Sequence, residues 1–233
     1  MKILAIIPAR GGSKRLPGKN IKDFMGKPLI AWTIDFVKKL DSIDEIYIST
    51  DSEEIIECCK KIGFNIHEKR PGTLATDTSN TVDVVLDVVN QFEKNGKTFD
   101  YIALFQPTSP LRDISSWNQA ISIITETDCD AVIGVSEVEE HPYHMFNIDG
   151  NSSLTPWFSD EFLKTRSQDL PKCYLVNGSL YLVKVSELKR QNTFFPKQAK
   201  AVICRFPYEA VDIDTQYDWV VAEALVKHFG LNS

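Results

Sequence analysis

No stretch of the 233-residue sequence approaches the roughly 18 consecutive apolar residues that a membrane helix needs. The apolar run at the N-terminus is broken by Pro8 and falls short of the ~7–15-residue core of a secretion signal. The expectation is a soluble, cytoplasmic protein with no membrane partner. The five cysteines, Cys58, Cys59, Cys129, Cys173 and Cys204, are odd in number and lack C-x-x-C spacing, which suits reduced thiols and speaks against a disulfide framework or a zinc site. The four histidines, His67, His141, His144 and His228, have no metal-ligand spacing. An excess of positive charge is also missing: the formal net charge of −6 argues against a general nucleic-acid binder. No internal repeat or low-complexity segment is visible.

Against that acidic background, positive charge and glycine concentrate in one place. The apolar run Ile3 to Ile7 leads into Pro8-Ala9-Arg10-Gly11-Gly12-Ser13-Lys14-Arg15-Leu16-Pro17-Gly18-Lys19-Asn20. The glycines let the backbone approach a ligand, while Arg10, Lys14, Arg15 and Lys19 supply the charge that a small polyphosphate neutralises. The spacing is neither the dinucleotide G-x-G-x-x-G nor a Walker A, because Gly11 and Gly12 are adjacent and Lys19 precedes Asn20. A generic glycine-rich turn is the plain alternative.

Short β-branched runs alternate with helical patterns: Ile3–Ile7, Leu29–Leu40, Glu45–Ser49, Glu53–Ile62, Asn65–Glu68, Thr81–Glu93, Tyr101–Phe105, Ser115–Thr125 and Ala131–Val135. This order predicts an α/β fold, a Rossmann-like, mainly parallel sheet with helices on both faces. Val82, Val85, Leu86, Val89 and Phe92 form the clearest buried helical stripe, and Ser52 or Asp51 can cap the helix that Gly63 ends. From His141 to Pro171 the rhythm fails, which predicts an irregular or hairpin-like excursion, either a protruding arm or a loosely packed loop. Strand patterns resume at Tyr174–Val183 and Ala201–Phe206, and a helix from about Thr215 to Phe229 closes the chain. The whole is one domain, residues 1–233, with the arm at 141–171 inside it.

In such sheets ligands bind beyond the carboxyl ends of the strands, and the polar motifs fall there. Ser49-Thr50-Asp51 follows one strand and Gln106-Pro107-Thr108-Ser109-Pro110-Leu111-Arg112 another; alone, the second reads as a rigid structural turn. In Asp212-Ile213-Asp214, extended alternation turns both carboxylates one way and Ile213 into the core. Two converging carboxylates suit Mg²⁺, which completes its shell with water and substrate phosphates; the plain alternative is that Asp214 caps the last helix.

In this order, residues 8–20, Ser49–Asp51, Arg70-Pro71 with Leu74–Asp77, Gln106–Arg112, Asn177–Tyr181 and Asp212–Thr215 resemble the acylneuraminate cytidylyltransferases over nearly the whole chain. Those enzymes activate sialic acid and related nine-carbon 2-keto acids as CMP-sugars. The resemblance implies the fold of the nucleotide-diphospho-sugar transferases and a nucleotidyl transfer in which the sugar's anomeric hydroxyl attacks the α-phosphorus of CTP. It implies that Arg10, Lys19 and Asp212 carry catalysis. Ala9, Arg10, Gly11, Ser13, Lys19 and Asn20 would hold the triphosphate, with Arg70, Asp77 and Thr81 around the cytidine. Gln106, Arg166, Asn177, Tyr181, Phe194 and Phe195 would address the sugar, and Asp212 and Asp214 would bind Mg²⁺. It further implies a homodimer in which the arm, residues 141–171, reaches toward the partner's site. His144 stands where many members have lysine, and Ser179 where alanine is common, so a diacetamido relative such as legionaminic acid becomes a plausible acceptor. The retained Gln106–Arg112 turn speaks against the pseudaminic acid branch, and Asn20 departs from the Gly-Lys-Pro of the CMP-Kdo synthetases. The rivals are a Kdo or other sugar nucleotidyltransferase, a non-catalytic CTP-binding protein and, disfavoured by its glycine spacing, a dinucleotide oxidoreductase.

Overall fold

The computed structural model describes residues 1–66, 68–76 and 78–231. In chain order the strands are β1 (Ile3–Pro8), β2 (Asp23–Phe24), β3 (Lys27–Pro28), β4 (Glu45–Ser49), β5 (Tyr101–Leu104), β6 (Ala131–Glu137), β7 (Phe146–Ile148), β8 (Leu154–Pro156), β9 (Tyr174–Lys184) and β10 (Ala199–Ile203). The helices are α1 (Leu29–Val37), α2 (Glu53–Lys61), α3 (Thr81–Lys94), α4 (Ile114–Glu126), α5 (Val185–Gln191) and α6 (Gln216–Phe229).

The main sheet runs β10-β6-β9-β5-β1-β4. All its pairings are parallel except those of β9, which lies antiparallel between β5 and β6. This is the mainly parallel sheet that the alternating pattern predicts. Successive residues of β1 serve opposite layers, as they must in a sheet covered on both faces. Ile3, Ala5 and Ile7 pack with Ile30 and Ile34 of α1 and Trp117 of α4. Leu4 and Ile6 face Val82, Val85 and Val89 of α3 and Leu188 of α5. A third cluster joins Phe24 and Trp32 to Trp219 of α6, and it buries Ile213 completely.

Several expectations change. Ser52, not Asp51, caps α2, accepting from the Ile55 N–H. The cap of α6 is Thr215, reciprocated by Asp218 in a capping box, so Asp214 is free of that role. Of the aromatics on α6, Trp219 is core, but Tyr217 is 77% exposed. Phe64 to Ile66 and Glu68 carry no strand, and His67 lies outside the described residues. The expected excursion is hairpin-like: β7 and β8 pair antiparallel between short 3₁₀ turns. Met145, Phe146, Ile148, Leu154, Trp157 and Phe158 along it are exposed. Among the described residues, no helix is long and apolar enough to cross a membrane.

The carboxyl ends of β1, β4, β5, β6 and β10 and the amino end of β9 share one edge of the sheet. There β9 loses register with β6 between Ile133 and Val135, bulging around Asn177 to Leu180.

Candidate active site

The loop after β1 is tied down from several sides. The Ala9 N–H donates to the Ser49 carbonyl at 2.8 Å, and the Gly11 N–H to the Asp51 carboxylate at 3.0 Å. A Cβ on Gly11 would lie 2.8 Å from the Ser52 Cβ, so the loop can pass the end of β4 this closely only with glycine. Asn20 donates its side-chain amide to the Arg10 carbonyl at 3.0 Å.

The buried Lys19 ammonium reaches across to the far end of the sequence. It donates to the Ile213 carbonyl at 2.6 Å and to Asp214 Oδ1 at 2.8 Å, while Arg15 lies 3.0 Å from Asp214 Oδ2. Two of the three Lys19 donors are thereby engaged. The buried Arg70 donates to the hydroxyl and carbonyl of Ser49. Desolvation lowers its pKa; Arg10 pushes the same way, whereas Asp51 opposes. Arg10, Ser13, Lys19, Asn20, Arg70, Thr81 and Asp214 all line one cleft of about 560 Å³. Several fixed cations around such a volume form a site for a strongly anionic ligand.

Two further clefts adjoin it. One of about 930 Å³ is lined by Asn177, Tyr181 and Asp212, with Glu137, Glu139, Glu140 and Arg205 along its walls. The other, about 280 Å³, lies among Thr81, Tyr181, Phe194 and Phe195. Gln106 lines all three. The Tyr181 ring sits 5.7 Å from Phe194 and 6.1 Å from Phe195. Burial raises the pKa of its hydroxyl, and the charge of Asp212 raises it further. Asn177 is buried and largely spent within the bulge, donating to Ser136 Oγ at 3.0 Å and accepting from the N–H and hydroxyl of Ser179. Gly178 has φ +75°, and a Cβ there would fall 2.7 Å from Ser109 Oγ.

The paired acids divide between the clefts. Asp214, gripped by Lys19 and Arg15, faces the cationic cleft. Asp212 is exposed toward the larger neighbour and has no hydrogen bond or ion pair to the described residues. The Ile213 N–H between them donates to the Thr108 carbonyl at 2.7 Å, so the Gln106–Arg112 turn holds the acidic segment in place. Among the described residues, no group of three or more His, Cys, Asp or Glu gathers as a metal centre. An open carboxylate beside a cationic cleft does fit Mg²⁺, which draws most of its shell from water and a bound polyphosphate.

Arg166 is not brought to these clefts. It lies exposed in the arm, 2.7 Å from Asp169. Asp77 lies outside the described residues. Lys14 and Arg15, expected to supply charge for a polyphosphate, do line the cationic cleft, and Thr76 and Ser79 line it without having been singled out from the sequence as ligand contacts. The signal for those two was membership of the same loop as Arg70, since a loop shaped around a ligand contributes several neighbouring groups at once.

A sequence profile of the cytidylyltransferases matches residues 4–205. The chain belongs to the cytidylyltransferase family. It is 35% identical over 227 residues to the CMP-N,N'-diacetyllegionaminic acid synthase of Legionella pneumophila, covering 97% of both chains. It is 32% identical over 228 residues to a pseudaminic acid cytidylyltransferase of Campylobacter jejuni, again covering 97% of both. Among solved structures, a CMP:2-keto-3-deoxy-manno-octonic acid synthetase complexed with CTP superposes with a TM-score of 0.69 at 17% identity, over 98% of this chain and 100% of that one. That likeness shows the shared fold. This cytidylyltransferase places its most cationic loop beyond the carboxyl end of β1, where open α/β sheets in general present their ligands.

Proposed function

We propose that this cytidylyltransferase couples CTP to a nonulosonic acid, giving the CMP-sugar and pyrophosphate. The observation that carries the reading is the position of Gln106, shared by a cationic cleft suited to a triphosphate and two clefts with room for a polyhydroxylated acceptor. The relatives named for legionaminic and pseudaminic acids support that acceptor class.

Little covalent work falls to the protein in such a transfer. The anomeric hydroxyl at C2 attacks the α-phosphorus in line, its proton passes to solvent, and the bond to the β-phosphate oxygen breaks as pyrophosphate leaves. Arg10 and Lys19 neutralise charge that builds on the transferring and leaving phosphates; Arg70 and Thr81 confine the nucleoside end. Lys19, locked by Ile213 and Asp214, is already in position before the ligand arrives. Asp212 and Asp214 would hold Mg²⁺, which when bound adds Lewis-acid charge neutralisation at the phosphates. Gln106 and Tyr181 orient the acceptor, with Phe194 and Phe195 against its apolar parts.

The working form in this reading is a cytoplasmic homodimer. The exposed Ile148, Leu154, Trp157 and Phe158 of the arm support it, since contiguous apolar surface of this kind favours a protein contact. It would also carry Arg166 toward a partner's acceptor cleft.

The deciding experiment is pyrophosphate release from CTP and Mg²⁺ with sialic, legionaminic, pseudaminic and Kdo acids offered separately. Release with one or more of the nine-carbon acids is expected. Silence with all three would end the proposal, and a strong preference for Kdo would replace the acceptor class.

A further inference from the structure

Arg112 closes the turn that begins at Gln106, and nothing in the transfer described above uses it. Among the described residues its guanidinium forms no ion pair, although Asp113 and Glu209 line the same small cavity. Instead Nε donates to the Ser179 carbonyl at 2.8 Å, Nη1 to Thr33 Oγ1 at 3.1 Å and Nη2 to the Gln106 carbonyl at 2.7 Å. The rings of Phe105 and Phe36 flank it, with centroids 5.4 and 5.9 Å away. Desolvation brings its pKa down to about 9. Placing a cation here without a carboxylate in direct contact is costly, and a core staple alone could be made of apolar side chains.

What the three bonds join explains the choice. Thr33 belongs to α1 and is fully buried, so it is a fixed point. Ser179 follows Gly178 in the bulge of β9, and Gln106 stands where the three clefts meet. A Cβ on Gly178 would lie 3.4 Å from Gln106 Oε1, so the Gln106 side chain already lies against that bulge. One rigid planar fork spreads its donors over three nitrogens and fixes three separated acceptors relative to one another; the donors of a lysine radiate from a single nitrogen on a flexible stem, and an apolar residue has none.

We propose that Arg112 is a positioning residue that sets Gln106 at the junction of the nucleotide and acceptor clefts by locking its carbonyl to α1 and to the β9 bulge. The assignment of the acceptor to Gln106 rests on the function proposed above; the mechanical tie does not.

The test is a double-mutant cycle between Arg112→Lys and Gln106→Ala, read as separate KM values for CTP and for the acceptor acid. Arg112→Lys should raise the acceptor KM roughly tenfold to a hundredfold, the cost of about 1 Å of misplacement, while the CTP KM moves less than about threefold. On a Gln106→Ala background the same change should add little, because both act through one side chain. Additive effects, or acceptor and CTP KM rising in proportion, would overturn the proposal. Thr33→Val, which deletes one of the three bonds, should show the same split more weakly, and it serves if Arg112→Lys does not fold. Hydrogen exchange of peptides spanning 105–112 and 177–181 reads the tie without any substrate. Faster exchange confined to both segments supports it, and unchanged exchange overturns it. If the wild type turns over no acceptor, the function falls and the exchange result alone decides for or against Arg112.

Discussion

In the proposed reading the cationic cleft is the nucleotide side and the clefts along the β9 bulge are the acceptor side, and these two halves are built by different means. On the nucleotide side several groups are already held: Lys19 by Ile213 and Asp214, Arg15 by Asp214, Arg70 by Ser49, and the Gly11 N–H by Asp51. On the acceptor side the wall is a bulged strand and an acidic rim, and the one arginine expected there, Arg166, lies away in the arm. The contrast follows from chemistry. A triphosphate presents the same charge to every enzyme that uses it, so its cradle can be rigid and preorganised. A polyhydroxylated acceptor is told from its relatives by a few hydrogen bonds, and those groups can be supplied by separate, movable pieces.

The sharpest way to break this division is at the acid that lies between the halves. Asp212→Asn should reduce turnover on the order of 10²–10³-fold, the usual cost of losing one charge-stabilising contact. Its circular dichroism and melting temperature should hold, because the carboxylate makes no hydrogen bond to the described residues. Turnover at the wild-type level at equal Mg²⁺ would remove Asp212 from the chemistry.

Next comes the arm. Ile148, 65% exposed on the β7–β8 hairpin, should be an interface residue if the acceptor half needs a second copy. Ile148→Asp forfeits roughly 2 kcal/mol of apolar burial in the contact, more than tenfold in the dimer constant, before any charge penalty. Light scattering should then report monomer, with acceptor KM raised and CTP affinity kept. A variant that stays dimeric and fully active would show that the halves are independent of assembly.

Gly178→Ala tests the bulge itself. A left-handed alanine costs roughly 1–2 kcal/mol, and the new Cβ would meet Ser109 Oγ at 2.7 Å. For a chain of this size each kcal/mol lowers Tm by about 2–4 °C. The acceptor KM should rise several-fold with CTP KM unmoved, and equal losses on both substrates would contradict the division.

The same contrast governs what the sequence disclosed. The nucleotide half was legible because its information is local. The strand-to-glycine-loop junction, the α3 stripe and the alternation that buries Ile213 between two acids are all readable within a few residues. The acceptor half was not, because its geometry is long-range. The pattern at Tyr174–Lys184 announces a strand, yet only its neighbours β5 and β6 make it antiparallel, and only their register forces the bulge at Gly178. α5 went unseen because it is short and follows that strand with no cap hydrogen bond from a side chain. Arg112, too, read as the end of a turn. Its role depends on Thr33 and Ser179, far away in sequence, which no spacing rule connects to it.

The smallest effect separates the halves by pH. Beside Lys19, Asp218 is pushed upward by burial, but the Thr215 hydroxyl, the N–H groups of Asp214 and Thr215, and the Lys19 charge outweigh that and hold it below the ordinary carboxylate value. Glu209, behind the acceptor cleft, is raised above its ordinary value, chiefly by burial, with Asp113 adding to it and Ser116 opposing. The folded protein therefore binds the Glu209 proton more tightly than the unfolded chain does. Stability contributed at this site falls as pH rises from the ordinary carboxylate value through the raised one, and stays low above it. For Asp218 the sign reverses: its contribution is full above the ordinary value and is lost as pH falls through the lowered one. Glu209→Gln, which keeps an acceptor for the Phe206 N–H and cannot ionise, should thus melt higher than wild type near neutrality and lose that advantage near pH 4. Asp218→Asn should melt lower near neutrality, with the deficit shrinking in acid. Calorimetric scans across that range check both, and a gain for Glu209→Gln that ignored pH would mean that packing, not the buried charge, limits stability behind the acceptor cleft.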